Sequence, residues 1–329
     1  MNPRVWAQAL QTMPKLTQDE WGQLDLIARW LIATRASVLF MTFMSAALGG
    51  LLAAADGSFD WSLWLICCLG LVFAHATNNL LNDYTDSRRG IDKNNYYRNQ
   101  YGVHVLEDGL LSPARFWGYV GFTGGVALAL GLWLVSARSG LTLNLMLAGA
   151  FFVLFYTWPL KYYGLGEPAV LLVWGPLMVG GTYYVITGHW NWDVTWFSLL
   201  YALGPTTVLF GKHIDKLVLD EGKGVQTLPV ILGSRQARWW VIGMLILQYV
   251  GSLLLVASGA AHWLLLVVIA NVPTLWKVAQ AFREEKPERR PADFPEQVWP
   301  LWFSAFAFDH TRKFTTLFVL ALLVGQLMS

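Results

Sequence analysis

Two stretches of this chain concentrate side chains able to hold a cation and an anion together. The first reads NNLLNDYTDSRRGID, from Asn78 to Asp92. Asn79 and Asn82 are three residues apart and Asn82 and Asp86 four, so a continuing helix places Asn79, Asn82, Asp83 and Asp86 near one face. Carboxylates and amide carbonyls in that density suit a hard cation such as magnesium, which binds through one or two carboxylates and the phosphates of a substrate. The second stretch, KHIDKLVLDEGKGVQTLPVILG, runs from Lys212 to Gly233. Asp215 and Asp220 are five apart, a poor single-face spacing unless the helix ends near Leu217, and Gly222 and Gly224 suit such an end.

Basic residues interleave with both sets of acids: Arg88, Lys93 and Arg98 near the first, and Lys212, Lys216 and Lys223 near the second. This pattern fits a metal-bridged diphosphate, with metal on the inner oxygens and basic side chains on the outer ones. Both would stabilise the charge that develops on a departing pyrophosphate. Beside them, His213 is a group whose neutral imidazole can accept a phenolic proton near pH 7, or make a structural hydrogen bond. A solvated, charge-rich helix end would use the same residue types, but two such clusters weaken that reading together.

The elements that must position these residues are membrane spans. Hydrophobic residues make up 55% of the 329 positions and charged residues only 13%, well below the charged share of an ordinary soluble domain. The net charge of +2 and the lack of a long basic run exclude nucleic acid as a partner. Cys67 and Cys68 are adjacent in an apolar stretch and read as packing residues. Nine apolar stretches emerge, at 36 to 55, 61 to 81, 115 to 136, 140 to 158, 168 to 188, 194 to 211, 237 to 257, 261 to 281 and 313 to 328. The expected fold is therefore an all-α integral membrane bundle of nine transmembrane helices, with a central cavity capped by cytoplasmic loops.

Lysine and arginine then orient the spans, because they gather on the cytoplasmic side. Of 23 such residues, Arg138 alone falls in the opposite loops, which predicts a cytoplasmic N-terminus in a multi-pass protein of the inner cell membrane. Residues 1–35 form a cytoplasmic or interfacial segment before a membrane domain at 36–329. Within that segment 17 to 34 has the apolar spacing of an amphipathic helix, and Asp19, Glu20 and Asp25 argue against a cleavable signal. Both acidic clusters open long cytoplasmic loops, 82 to 114 and 212 to 236, four spans apart, as in two halves facing one cavity.

With these residues in view, the chain resembles the UbiA superfamily of intramembrane prenyltransferases over about residues 30 to 325. The resemblance implies magnesium as cofactor, an isoprenyl diphosphate and an aromatic acceptor as partners within membrane lipids, and roles in holding magnesium and diphosphate for Asn82, Asp83, Asp86 and Asp92. The step from Asp86 to Asp92 across Gly90 looks like the 1,4-dihydroxy-2-naphthoate polyprenyltransferases of menaquinone synthesis. So does YTWPLKYYGLGEPAVLLVWGPLMVGGTYYVITG, from Tyr156 to Gly188, in which Tyr156, Lys161 and Glu167 become candidate site residues; each also reads as an interfacial anchor, a topogenic charge or a helix-start acid. The second cluster departs from the naphthoate pattern of Asn-Asn-x-Arg-Asp followed four residues on by Asp. Asp220 and Gly224 align, but the earlier positions read Lys212, His213, Ile214, Asp215 and Lys216, so Asp215 is one residue early.

Asp86, Asp215, Asp220 and His213 are thus the expected catalytic groups, with Asn82, Asp83, Asp86, Asp92, Asp215 and Asp220 as metal ligands. In the loop at 94 to 112, Arg98 substitutes for a usual arginine, and Tyr96, Tyr97 and Tyr101 form a lid or an interfacial helix. Rival readings keep the fold and change the acceptor to a hydroxybenzoate or homogentisate-like ring, or make the chain a transporter or lipid-binding protein. A coupled ion pathway brings ionisable groups to mid-membrane, where the spans offer chiefly Asn144 and His262.

Overall fold

The computed structural model describes residues 3–92 and 102–328, and their regular structure is helical apart from one isolated parallel bridge between Tyr163 and Gln226. Three short helices lead in: α1 (Pro3–Ala9), α2 (Gln18–Gln23) and α3 (Leu26–Ala33). The amphipathic helix expected over 17 to 34 is broken in two by capping chemistry. Thr17 and Glu20 form a reciprocal capping box on α2, and Asp25 accepts the Ala28 N–H at 2.9 Å to start α3. Trp21 and Ile32 then pack with Leu80, Val103, Leu110 and Phe116 in one buried cluster.

The bundle follows as α4 (Leu39–Ala55), α5 (Trp61–Arg88), α6 (Pro113–Ala137), α7 (Leu141–Phe155), α8 (Gly166–Thr187), α9 (Trp192–Asp215), α10 (Leu217–Gly222), α11 (Leu228–Leu232), α12 (Ser234–Ala257), α13 (Trp263–Arg283) and α14 (Trp302–Met328). Eight of these are long and apolar enough to cross a membrane. The fourth expected span, at 140 to 158, is α7, which is apolar but has only 15 residues, roughly 22 Å of rise against a hydrocarbon core of about 30 Å. The last span begins eleven residues before the expected position 313. Its polar residues are absorbed on one face, where Asp309 pairs with Lys313 at 2.6 Å, while Phe303, Ala307 and His310 on the other face are buried.

α9 is the most deeply buried span and packs against α8, α12 and α14. Small residues permit this. A Cβ at Gly211 would lie 2.7 Å from the Ser304 nitrogen, and one at Gly204 would lie 2.8 Å from the Thr311 side chain. α8 is interrupted at Gly175, whose φ of −89° and ψ of −106° are non-helical, just before Pro176. The opposite, outward faces of α6, α12 and α13 expose Phe122, Leu132, Leu253 and Trp263, as lipid-facing helices do. Minimal connections join the spans at one end of the bundle; the described segments 89–92 and 102–112, with 216–233 and 284–301, lie at the other.

Candidate active site at the long-loop end

α5 continues beyond the expected limit at 81 as far as Arg88, so the first acidic cluster is helical and its acids share a buried face. Asp83 is 2% exposed and Asp86 5%. Buried carboxylates need cations, and each has one. The Arg35 guanidinium reaches Asp83 Oδ1 at 2.8 Å, and its Nη2 also donates to Asn82 Oδ1 at 3.1 Å and to the Asn79 carbonyl at 2.9 Å. Lys161 Nζ sits 2.7 and 2.6 Å from the two oxygens of Asp86. The asparagine amides tie the helix to its neighbours: Asn79 donates to the Thr34 carbonyl at 2.8 Å and Asn82 to Thr157 Oγ1 at 3.0 Å.

Past the end of α5 the chain curls back, with the Ile91 N–H donating to the Asp86 carbonyl at 2.8 Å across Gly90, whose φ is +74°. This returns Asp92 to the cluster. His104 Nδ1 accepts the Glu107 N–H at 3.2 Å, which leaves the ring proton on Nε2 to donate to Asp92 Oδ2 at 3.0 Å. Asp83, Asp92 and His104 offer ligand atoms that all lie within 4.8 Å of one another.

The second cluster is arranged differently. α9 stops at Asp215, and Lys216, with φ −118° and ψ 20°, separates it from α10. This break, one residue before the expected end near Leu217, sends the two acids in different directions. Asp215 does not join the site. Its two oxygens accept the Phe303 and Ser304 N–H groups, both at 3.0 Å, so it caps the buried start of α14, with Lys286 3.8 Å away. Burial pushes the Lys286 ammonium below its ordinary pKa, against the pull of Asp215. Asp220, fully buried, accepts from Lys216 Nζ at 2.8 Å through Oδ1, and its Oδ2 has no hydrogen-bond partner.

Three contacts stitch the loops over the site. Lys223 donates to the carbonyls of Ile91 and Gly90, joining the second loop to the first cluster. The Tyr163–Gln226 bridge joins it to the loop carrying Lys161. Glu167, at the start of α8, binds His213 Nδ1 at 2.6 Å and accepts the Leu228 N–H at 3.3 Å.

Beneath this cap lies a cavity of about 720 Å³. Its charged lining residues are Arg35, Lys161, Lys212 and Lys216, with Asp86 as the one carboxylate among them. His213, Asn79, Asn82 and Tyr156 also line it. The remainder of the wall is apolar, formed by residues such as Leu71, Ala127, Met146, Gly149, Val153 and Leu177. A cavity with four cations at one end and an apolar arm fits an amphiphile with an anionic head and a hydrocarbon tail. Arg88 is exposed and does not line this cavity, and Lys223 serves the cap. Lys93, Arg98, Tyr96, Tyr97 and Tyr101 lie outside the described residues.

The donor set fits a hard divalent ion at the first cluster, where Asp83 and Asp92 offer oxygens close to one another and the amide oxygen of Asn82 shares Arg35 with Asp83. At the second cluster Asp215 is committed to a helix terminus, and Asp220 has Oδ1 held by Lys216 and Oδ2 without a hydrogen-bond partner, so that one oxygen is the donor it offers an ion. Three participants escaped the sequence. Arg35 reads there as a topogenic charge; its positive φ of 56°, rare for a non-glycine residue, is the backbone kink that aims it at Asp83. His104 carries no local signal. Tyr162, sandwiched near Arg89, has its hydroxyl pKa pushed up by burial and then by the Asp86 charge, so it stays neutral.

Fold and site together define an all-helical, multi-pass membrane protein with a cavity that is cationic at one end and apolar along the rest. The profile of the UbiA prenyltransferase family matches residues 43–307, and the chain belongs to that family. It is 28% identical over 212 residues to UbiA prenyltransferase domain-containing protein 1 of Danio rerio, a match covering 63% of this chain and 62% of that relative, less than two thirds of its length. It is 26% identical over 266 residues to the 2-carboxy-1,4-naphthoquinone phytyltransferase of Synechocystis sp., covering 76% of this chain and 80% of that one. Among solved structures, a UbiA homolog from Aeropyrum pernix K1 superposes with a TM-score of 0.62 at 14% identity, covering 87% of this chain and 98% of that one. A UbiA homolog from Archaeoglobus fulgidus bound to GPP and Mg2+ gives 0.56 at 13% identity, covering 90% and 99%. These structures share the fold.

Proposed function

We propose that this protein transfers a prenyl group from an isoprenyl diphosphate to an aromatic quinone precursor, with magnesium as cofactor. The observation that carries the reading is the cavity that joins four cations and Asp86 to an apolar arm. Asn82, Asp83, Asp86 and Asp92 are the residues that would hold magnesium, which when bound neutralises diphosphate charge. Arg35, Lys161, Lys212 and Lys216 meet the remaining phosphate oxygens, and the apolar arm takes the prenyl tail and excludes water from the allylic centre. As the allylic carbon–oxygen bond breaks, the electron pair leaves with pyrophosphate, and a ring carbon of the acceptor supplies the pair for the new bond. The ring proton then leaves.

Glu167 fixes the His213 ring by accepting the Nδ1 proton, so the Nε2 lone pair of this cavity-lining imidazole is available for an acceptor hydroxyl proton. Tyr156 lies beside Glu167, Asp86 and Arg35 at the same end and supplies a ring face there. The acceptor is 1,4-dihydroxy-2-naphthoate in this reading, supported by the naphthoquinone phytyltransferase relative and by the Asp86–Asp92 spacing. The N-terminus and the long loops face the cytoplasm of an inner-membrane protein, supported by the distribution of lysine and arginine. The test incubates purified protein with magnesium, radiolabelled prenyl diphosphate and a panel of naphthoate, hydroxybenzoate and homogentisate acceptors. A prenylated naphthoate is expected; neither product nor pyrophosphate release across the panel sinks the reading.

A further inference from the structure

α5 presents two sides to the cavity below the cations. One side faces α6 and α7: a Cβ at Gly124 would lie 3.4 Å from Thr77, and the Asn78 amide donates to the Val153 carbonyl at 3.0 Å. Ala127, Gly131, Met146 and Gly149 line the cavity there, and none offers a side-chain N–H or O–H. The other side faces α4 and α8 through His75, one helical turn before Asn79. His75 Nδ1 lies 2.7 Å from the Thr42 hydroxyl, and its ring stands perpendicular to Trp174, with centroids 5.1 Å apart and planes at 88°. Both rings line the cavity.

This pair has nitrogens to spare. Thr42 engages Nδ1, and no hydrogen bond joins His75 Nε2 to any described residue. Trp174 Nε1 is buried and has no hydrogen-bond partner. An indole N–H can only donate, and leaving it unmade inside a membrane protein costs free energy that a ligand oxygen would recover. The other unpartnered atoms of the wall lie elsewhere: Arg35 Nε at the cationic end, and the Thr142 and Thr182 hydroxyls toward the short-loop end. The backbone is shaped around Trp174. Val173–Gly180 is wound as a π-helix, and a Cβ at the irregular Gly175 would lie 3.1 Å from both Ala202 Cβ and the Ser198 carbonyl of α9. Such turns interrupt spans where they line a cavity, and they collect at functional sites.

Depth and charge identify the occupant. His75 is eleven residues from Asp86 along α5, about 16 Å of rise, and Trp174 is seven residues beyond Glu167, about 10 Å. A diphosphate held at Asp86 and the cations places its ester carbon between these levels, beside a ring that lies deeper. The charged lining residues all belong to the capped end, so an oxygen bound at Trp174 is uncharged. A phenolic hydroxyl satisfies both groups: its oxygen accepts from Trp174 Nε1, its proton goes to His75 Nε2, and Nδ1–H donates to Thr42. With His213 held by Glu167 at the upper edge, two hydrogen bonds of about 2.8 Å and one ring width fill the interval.

We infer that the cavity forks below the cations, with the prenyl tail on the α6–α7 side and the acceptor ring on the α4–α8 side, and that His75 and Trp174 select a ring with hydroxyls on opposite edges. The inference rests on the aromatic-acceptor reading above. Its test is calorimetric binding to purified protein loaded with magnesium and geranyl S-thiolodiphosphate, an unreactive donor analogue. The probes are 1,4-dihydroxy-2-naphthoate and 1-hydroxy-2-naphthoate. The unmodified protein should favour the dihydroxy ring by about 3- to 10-fold, the range for a neutral hydrogen bond. Trp174→Phe, which keeps a ring and removes the N–H, and His75→Phe should each abolish that preference while leaving the affinity for 1-hydroxy-2-naphthoate and for the donor analogue unchanged. Met146→Trp, on the other side, should weaken a C20 thiolodiphosphate and leave both naphthoates unaffected. Melting temperatures identify a variant that does not fold, and Trp174→Phe decides if His75→Phe fails in that way. The inference is overturned by equal affinity of the two naphthoates for the unmodified protein, by a preference that survives in Trp174→Phe, or by loss of naphthoate binding in Met146→Trp. Binding of neither naphthoate to the unmodified protein fails the aromatic-acceptor reading itself, a distinguishable result.

Discussion

Asp86 and Asp215 are both buried aspartates at the ends of spans, and they do opposite work. Asp86 lines the cavity with Lys161 on its carboxylate, so Asp86→Asn is expected to lower kcat/KM by at least about 10²-fold, the order of losing one charge-stabilising group, and to lower the melting temperature as well because the buried Lys161 loses its counter-charge. Asp215→Ala should instead leave magnesium and prenyl diphosphate affinity intact and destabilise the protein by about 1–3 kcal/mol, because two buried N–H groups at the head of α14 lose their acceptor. Thermal melts in detergent beside binding titrations separate the two. The first cluster was legible because helical spacing alone brings Asn82, Asp83 and Asp86 together. Asp215 was misread because its partner is a helix terminus 88 residues further along the chain, which no local spacing reveals. Arg35 was missed for a related reason: its orientation depends on a left-handed backbone residue fixed by packing.

Helix α9 is the element on which both halves of the site converge. It carries His213 and Asp215 at one end, and its glycines seat it against α14. Gly211→Ala is therefore expected to cost about 1–3 kcal/mol of stability, since the added Cβ would strike the α14 backbone rather than a side chain able to move. The melting temperature should fall, and product formation should fall with it as His213 and Lys216 shift from the cavity. Gly243, in α12 with nothing within 4 Å of a Cβ, is the control and should accept alanine without loss. The spans themselves were legible from apolar length and basic loops. The extent of α14 was not, because Asp309, Arg312 and Lys313 look like an interruption until a helix places them on one exposed face.

At the scale of the whole molecule the cavity is a joint product of α4 to α9, of the start of α14 and of the loops that cap them. Gly149 of α7 lines its apolar arm and has open space where a side chain would go. Gly149→Phe should fill that space and shift selectivity toward shorter isoprenyl diphosphates, read as kcat/KM for C10 against C20 donors. An unchanged preference would place the tail elsewhere. No sequence pattern foretold the arm, since its apolar residues look the same as those that face lipid.

The charge imbalance at the capped end also has a bearing on turnover. In the proposed reaction the donor enters as a polyanion and the prenylated naphthoate carries only its single carboxylate charge, so the four cations that draw the donor in exert a weaker hold on the organic product. They hold the by-product instead. Inorganic pyrophosphate would keep the whole anionic head and lose only the tail, so under the proposed reaction its escape is the step expected to be slow and salt-sensitive. Pyrophosphate should thus be the stronger product inhibitor, competitive with the donor, and added pyrophosphatase should raise the steady-state rate while the prenylated ring drains into the bilayer.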